Sequence, residues 1–396
     1  MTLQSSGAIS LNDIHVEVDG ASGSNCSIND SDIRGLINKS SGATMSFSEW
    51  YGASNIRYIT ATGGSQYTSG NYRFHVFNSS GTFNITQSAV GVSNTIDYMI
   101  IAGGGSGGTS LNSSYTSSGG AGGGAGGYIT GSFTASAGAK SVTVGGGGAQ
   151  QTGGGTASGS NSSIAGVATA TGGGGGGYYN QNVSGSARYQ VRSGGSGGGG
   201  PMASGGGGYA GGSGTSGQGN NGSRGDFINH HFGSNRYHIG GAGGGGGKGS
   251  SPSPNAYYIY QVGNSVNVSH PGGTGSNTGV ANYGSASRGG GGGGGVHLAI
   301  NLFWSSSGFP RPWGGGGTGG SSGSNLSGGG NGAVGEGGYD PNQYAFVYPI
   351  RVYPTSGSAN TGGGGGGCIN VALNSLTQYS GMAGGSGTVM VRYLYQ

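Results

Sequence analysis

Three regimes of hydrophobic patterning succeed one another along the chain. Over residues 1–53 the apolar positions (Leu3, Ile9, Leu11, Ile14, Ile28, Ile33, Leu36, Ile37, Phe47 and Trp50) come in short clusters beside helix-start signals. Ser10 with Asp13, and Ser46 with Glu49, have the spacing of a capping box, in which a hydroxyl accepts a backbone N–H three residues on and the acid accepts one in return. Asn29, Asp30 and Ser31 offer a further N-cap ahead of Ile33, Leu36 and Ile37. Short helices are therefore expected. Their apolar residues are few for an isolated unit of this size, so the segment is expected to dock on something else.

From residue 54 to about 171 the period becomes two. Residues 73–77, the turn cluster 78–81 and residues 82–86 read as a β-hairpin. Further strands are expected at 95–101, 128–133, 140–144 and 164–171, and three of them feed directly into glycine blocks beginning at Gly103, Gly145 and Gly172. Over residues 172–387 neither period survives, and blocks of glycine alternate with ring-rich loops. Residues 388–396 then read as a strand that returns to pair with the early ones.

Composition changes what these patterns can build. Glycine supplies 106 of 396 residues, roughly four times ordinary usage. Only 31% of residues are hydrophobic and 6% charged, which leaves too little apolar bulk for a helix bundle or a doubly wound α/β fold. Collagen is excluded as well, because the glycines come in uninterrupted blocks and the chain has nine prolines. Glycine loses more backbone entropy on folding than any other residue, so backbone packing and backbone hydrogen bonds have to offset it. Blocks of similar length suggest extended polyproline-II-type strands made of glycine, each about 19 Å long for six residues. Lacking Cβ atoms, such strands pack closely enough for N–H···O and Cα–H···O contacts to replace an oily core. The expected fold class is mainly β with polyglycine-II helices: an N-terminal module with short helices (1–53), a β-rich domain (54–171), a polyglycine-II sandwich (172–387) and the returning strand (388–396).

Charge is dilute. Residues 1–102 carry seven carboxylates and four cations, and the remainder ten cations and three carboxylates, spread over nearly three hundred positions. No basic stripe results, and the single Arg288-Gly289-Gly290 is what chance gives in such a sequence, so nucleic acid is not an expected partner. No apolar run is long enough to span a bilayer and no export signal opens the chain, so neither secretion nor membrane insertion is expected. Cys26 and Cys368 are read as free thiols of a reducing compartment.

Catalytic signals are weak. Residues 243–250 approach a phosphate loop, but Ala242 stands where its first glycine belongs and Gly249 follows Lys248 where Ser or Thr is required. His230, His231 and His238 lack further ligands at recognisable spacing apart from Asp226, so no metal is expected. Arg224-Gly225-Asp226 is read as coincidence. Glu336 and Asp340, the one close carboxylate pair of the glycine-rich region, read as a solvated turn rather than a glycosidase pair. No catalytic residue and no cofactor is assigned. The positive signal lies in the rings between glycine blocks: Tyr178, Tyr179, His230, His231, Tyr237, Tyr257, Tyr258, Tyr260, Phe303, Trp304, Trp313, Tyr344, Phe346 and Tyr348 are the candidate ligand contacts. Rings give large, rigid contact area, and Tyr, Ser, Gly and Asn together are the composition of antibody binding loops.

Residues 99–108, 122–128, 142–148 and 169–172, with the closing residues 384–393, resemble the glycine-rich domain of bacteriophage tail-fibre proteins. The later blocks resemble the distal long-tail-fibre adhesins of T-even-like phages. That resemblance implies a polyglycine-II sandwich whose loops bind a host cell-surface glycan or outer-membrane protein, without catalysis. Residues 11–17, 29–36 and 45–52 look like a module of phage tail and fibre proteins, which implies attachment to a tail or baseplate protein through Ile14, Ile33, Leu36, Phe47, Trp50 and Tyr51. The chain would then be made in the host cytoplasm and carried in the virion, as a self-contained monomer or as a homotrimer joined near the N-terminus. A structural or ice-binding glycine-rich protein and a glycan depolymerase are the competing readings. The dissimilar loops argue against the flat, repetitive face that ice binding needs.

Overall fold

Both capping boxes form. In helix α1 (Leu11–Glu17) the Asp13 N–H donates to Ser10 Oγ at 3.1 Å, and the Ser10 N–H donates to Asp13 Oδ2 at 2.8 Å. The Ser10 hydroxyl, donating to Asp13 Oδ2 at 2.7 Å, and then the Ser10 N–H hold the Asp13 carboxyl below its usual range. A 3₁₀ turn (Phe47–Trp50) carries the second box, and its Glu49 also meets Lys39 at 2.6 Å. The short helix α2 (Ser31–Gly35) starts at Asp30, whose side chain accepts from the Ser27 N–H instead of capping the helix. The computed structural model describes residues 2–111, 118–152, 154–180, 184, 189–203, 209–232, 235–241, 258–262, 265–269, 334–335, 350–352, 355–367, 369–370 and 380–396.

The N-terminal unit closes on a small core of its own. Leu3, Ile14, Ile33 and Trp50 form one buried cluster ringed by Ile9, Leu11, Ile28, Leu36 and Ile37, and the Trp50 indole N–H donates to the Ile33 carbonyl at 3.1 Å. One large ring, with its polar atom satisfied, supplies what the small aliphatic residues could not. The buried Glu17 ties the unit to the next segment by accepting the Asn55 N–H at 3.0 Å. Trp50→Ala is expected to cost about 3–5 kcal/mol, read as loss of the unit's cooperative melting transition.

Two antiparallel five-stranded sheets follow. The first is ordered β1 (Thr60–Thr62), β4 (Gly81–Gln87), β7 (Gly138–Thr143), β8 (Ser162–Ile164), β9 (Ala168–Ala170). The second is ordered β2 (Ser65–Ser69), β3 (Tyr72–Phe77), β10 (Thr388–Leu394), β5 (Thr95–Ile101), β6 (Tyr128–Thr134). Phe83, Ile85, Val142 and Ile164 from the first, with Ile59 just before β1, face Ile96, Ile100, Val389, Val391 and Tyr393 from the second in a single core. The second sheet also buries its other face, through Phe74, Val76, Met99, Ile101 and Met390.

The hairpin expected over 73–86 does not form. Strands β3 and β4 belong to different sheets, and the turn between them is a corner across which Phe77 and Phe83 meet edge to face at 6.5 Å. Alternation specifies which face of a strand is buried, not its partner, and both strands alternate equally well when crossing between layers. The true hairpin pairs β2 with β3 around Gly70 and Asn71, with Gly70 at φ +56°. The segment expected as one strand over 164–171 is β8 and β9, folded back on each other through Gly166.

The glycine runs leave the sandwich at one end. Residues 102–109 continue from β5, 145–152 from β7 and 171–177 from β9, while 120–127 lead into β6, 155–161 into β8 and 381–387 into β10. Consecutive residues of the 102–109 run point their N–H groups in three directions in rotation. Gly103 and Ser106 donate to Ser160 and Ala157, Gly104 and Gly107 to Gly385 and Met382, and Gly105 and Gly108 to Gly124 and Ala121, all at 2.8–3.1 Å. Its carbonyls accept in the same rotation: Gly103 and Ser106 from Gly173 and Gly176, Gly104 from Gly148, and Gly105 from Gly365. The run is thus bonded to all six of its neighbours. Those six are also bonded in a closed ring, through Ser160 to Gly146, Gly159 to Gly173, Gly124 to Gly174, Gly123 to Gly365, Gly385 to Gly363 and Gly384 to Gly148. Outside the ring, residues 194–201 pack on 171–177 and 120–127, and residues 209–225 pack on 194–201. Glycine runs before and after residue 171 therefore share one hydrogen-bonded body.

Candidate functional site

The register of these runs fixes where everything between them emerges. Ala102 lies by Gly127, beside the sheets, whereas Gly108 lies by Ala121, and Ala121 by Gly177, at the far end. Gly177 bonds Gly199, Gly200 bonds Ser223, and Gly366 bonds Thr355, so residues 201, 225 and 355 are also at that end. Among the described residues, both ends of each of the excursions 109–120, 178–191, 201–209, 225–355 and 367–381 lie there. At the opposite pole, Arg57 bridges Val90, and Thr60 pairs with Gln87, beyond the strand ends that lead into glycine. The segment from the N-terminal unit joins there. One axis thus carries attachment of the N-terminal unit at one pole and the described bases of these excursions at the other.

Small sheets brace the bases of the excursions. Tyr178–Asn180 pairs with Tyr189–Gln190 on one side and with Ser110–Leu111 on the other, placing Tyr179 opposite Tyr189 and beside Ser110. Met202–Ala203 and Ile369–Asn370 both pair with Ser118–Gly119, joining three excursions. A longer hairpin, Asp226–Phe232 with Asn235–Gly241, sets His230 opposite Tyr237 and His231 opposite Arg236. Tyr258–Val262 pairs with Ser265–Ser269, with Tyr258 opposite Ser269 and Tyr260 opposite Asn267. Tyr178, Tyr179, His230, His231, Tyr237, Tyr258 and Tyr260 thus sit on strands that begin within the excursions, Tyr178 half-buried. Tyr257, Phe303, Trp304, Trp313, Tyr344, Phe346 and Tyr348, like Cys368, lie outside the described residues.

A further pair of rings escaped the sequence reading. Tyr189 is exposed and meets Tyr209, from a different excursion, with ring centroids 4.1 Å apart. Each is a single tyrosine beside a glycine run, and the signal sought was clustered rings. Of the candidate attachment residues, Ile14, Ile33 and Trp50 are fully buried and Leu36 partly, so they shape the N-terminal unit from within. Phe47 and Tyr51 are exposed, as is Val16, which sequence reading did not select. Cys26 is free. Among the described residues no three His, Cys, Asp or Glu side chains converge as a metal site, and no helix is long and apolar enough to cross a membrane. No family model matches the chain, and no curated protein is significantly similar to it.

Proposed function

We propose that this protein is a phage tail fibre or receptor-binding protein that mounts through residues 1–53 and binds a host cell-surface glycan or outer-membrane protein through its distal excursions, without catalysis. The observation that carries the reading is the polarity of the body: the N-terminal unit joins one pole and every long excursion leaves from the other. A rigid stalk of this kind holds chemically varied loops away from the particle, and loops on a stable scaffold are where binding residues concentrate. In the same reading the glycine runs are polyglycine-II helices. The threefold rotation of their hydrogen bonds is what a helix of three residues per turn requires, and six bonded neighbours are what a hexagonal array of such helices provides.

Replacing residues 226–354 by a flexible linker tests the receptor assignment. The expected product melts within a few degrees of the full chain, because none of the strands or glycine runs of the body among the described residues is removed, yet it no longer binds host cells or competes with particle adsorption. A truncated protein that still saturates host cells and blocks adsorption would move the receptor contacts to the remaining excursions or off the distal pole.

A further inference from the structure

Between the two sheets lies a fully buried histidine, His75 of β3. Its Nδ1 stands 2.6 Å from the Gly63 carbonyl oxygen, and its Nε2 stands 3.0 Å from the Tyr393 hydroxyl. A carbonyl only accepts, so Nδ1 carries the proton; the neutral ring's Nε2 then accepts the Tyr393 O–H. Tyr393 stacks on the ring at 5.6 Å, and Phe83 of β4 meets it edge-on at 5.1 Å. The three contacts come from the β1–β2 turn, from β10 and from the facing sheet. In the neutral state both ring nitrogens are satisfied.

The protonated state has no such solution. A second N–H at Nε2 would point at the Tyr393 oxygen, which already meets the Ala61 backbone and the Arg73 side chain, and the phenol hydrogen would lose its acceptor. Of the titratable and charged groups facing the ring, Tyr393 is neutral and Arg73, on the same strand, is a cation; β4 contributes Phe83 and the turn only backbone. Asp97 and Arg392, on the neighbouring strands, are bonded to each other at 3.0 Å. No carboxylate faces His75 among the described residues. Burial, with a lesser contribution from Arg73, outweighs the Gly63 hydrogen bond and holds the His75 pKa below its usual value.

We infer that His75 is an acid-sensitive latch that locks the C-terminal strand into the sandwich while neutral and releases it when protonated. Strand β10 continues directly from residues 381–387, which close the ring around the central glycine run, so loosening Tyr393 loosens that ring as well. The sign follows from linkage. The stabilisation is complete above the unfolded-state histidine value near 6.5 and is lost as pH falls from there through the lower folded-state value.

The test uses the full chain. Urea unfolding is measured at several pH values between 8 and 5 for the wild type and for His75→Gln. Histidine ring-nitrogen spectra of the wild type are recorded over the same range. In the wild type the unfolding equilibrium constant is expected to rise by up to about tenfold per pH unit below 6.5 through this group, and in His75→Gln that component is expected to vanish. One ring in the spectra is expected to stay neutral, protonated on Nδ1, at pH values where a free imidazole is largely protonated. Should His75→Gln fail to fold, the spectra decide alone. Titration of every ring near 6.5, or an unchanged pH dependence in a folded His75→Gln, would overturn the latch.

Discussion

Gly105→Ala is expected to abolish the folded glycine body, whereas Gly146→Ala, in a neighbouring run, is expected to leave it intact. Neither position needs a left-handed backbone, so the contrast isolates packing. A Cβ on Gly105 would overlap the Gly174 carbonyl, and that backbone is held by its own bond from Gly124, so it has nowhere to yield. Overpacking an ordinary core costs about 1–3 kcal/mol because side chains can rearrange. Here the obstacle is backbone, and moving it breaks bonds in several directions, so the loss is expected to exceed about 3 kcal/mol. On Gly146 a Cβ meets nothing within 4 Å and faces solvent. Alanine there restricts only the unfolded chain, with an expected gain of about 0.4–1 kcal/mol. Thermal melting of the two variants beside the wild type reads both outcomes. Equal tolerance of the two would mean that the lateral packing is looser than the hydrogen bonds imply.

Removal of residues 388–396 is expected to unfold the sandwich and the glycine body together while sparing residues 1–53. Strand β10 is central in its sheet, pairing with β3 on one side and β5 on the other. Val389, Met390, Val391 and Tyr393 are all buried. At about 1.5–3 kcal/mol for each large buried side chain, their loss matches the whole stability of an ordinary domain, about 5–15 kcal/mol. The N-terminal unit has a separate core around Trp50 and should survive. Limited proteolysis distinguishes the cases: digestion up to the region of residue 54, with a resistant N-terminal fragment, is the expected pattern. Resistance of the whole truncated chain would mean that β10 adds little to the body.

The strands were largely legible because alternation of large apolar residues is a local property. Thr95–Ile101 has the expected bounds, and 128–133 and 140–144 differ from β6 and β7 by one or two residues. Their partners were not legible, as the corner between β3 and β4 demonstrates: burial on both sides of a strand leaves no mark that says which sheet it joins. The glycine runs pose this problem in its extreme form. A residue without a side chain cannot encode its neighbour, so the order of the ring is written in the few residues that are not glycine. Ser162 Oγ accepts the Gly145 N–H, Asn161 Oδ1 the Gly172 N–H and Gln218 Oε1 the Thr171 N–H, each setting the level at which a run begins. Ser106 Oγ accepts the Ala157 N–H and Thr109 Oγ1 the Gly155 N–H, fixing the slide of the central run against its neighbour. At the distal pole, rings between glycine blocks marked the excursions, but only the hydrogen-bond register collects their bases at one end. In the N-terminal unit, counting apolar residues understated the core because a single tryptophan fills it.

The central run at residues 102–109 is enclosed last by residues 381–387, and Tyr393 meets His75 across 318 positions of sequence. A ribosome adding about 5–20 residues per second releases the closing segment many seconds after the segment it must surround. The ring cannot assemble until residues 381–387 have left the ribosome, and before then the early glycine runs have no complete set of partners. Such long-range closure makes folding slow and all-or-none. A chain terminated before these residues would therefore yield no partial glycine body, and every molecule that holds the folded body has been translated through β10.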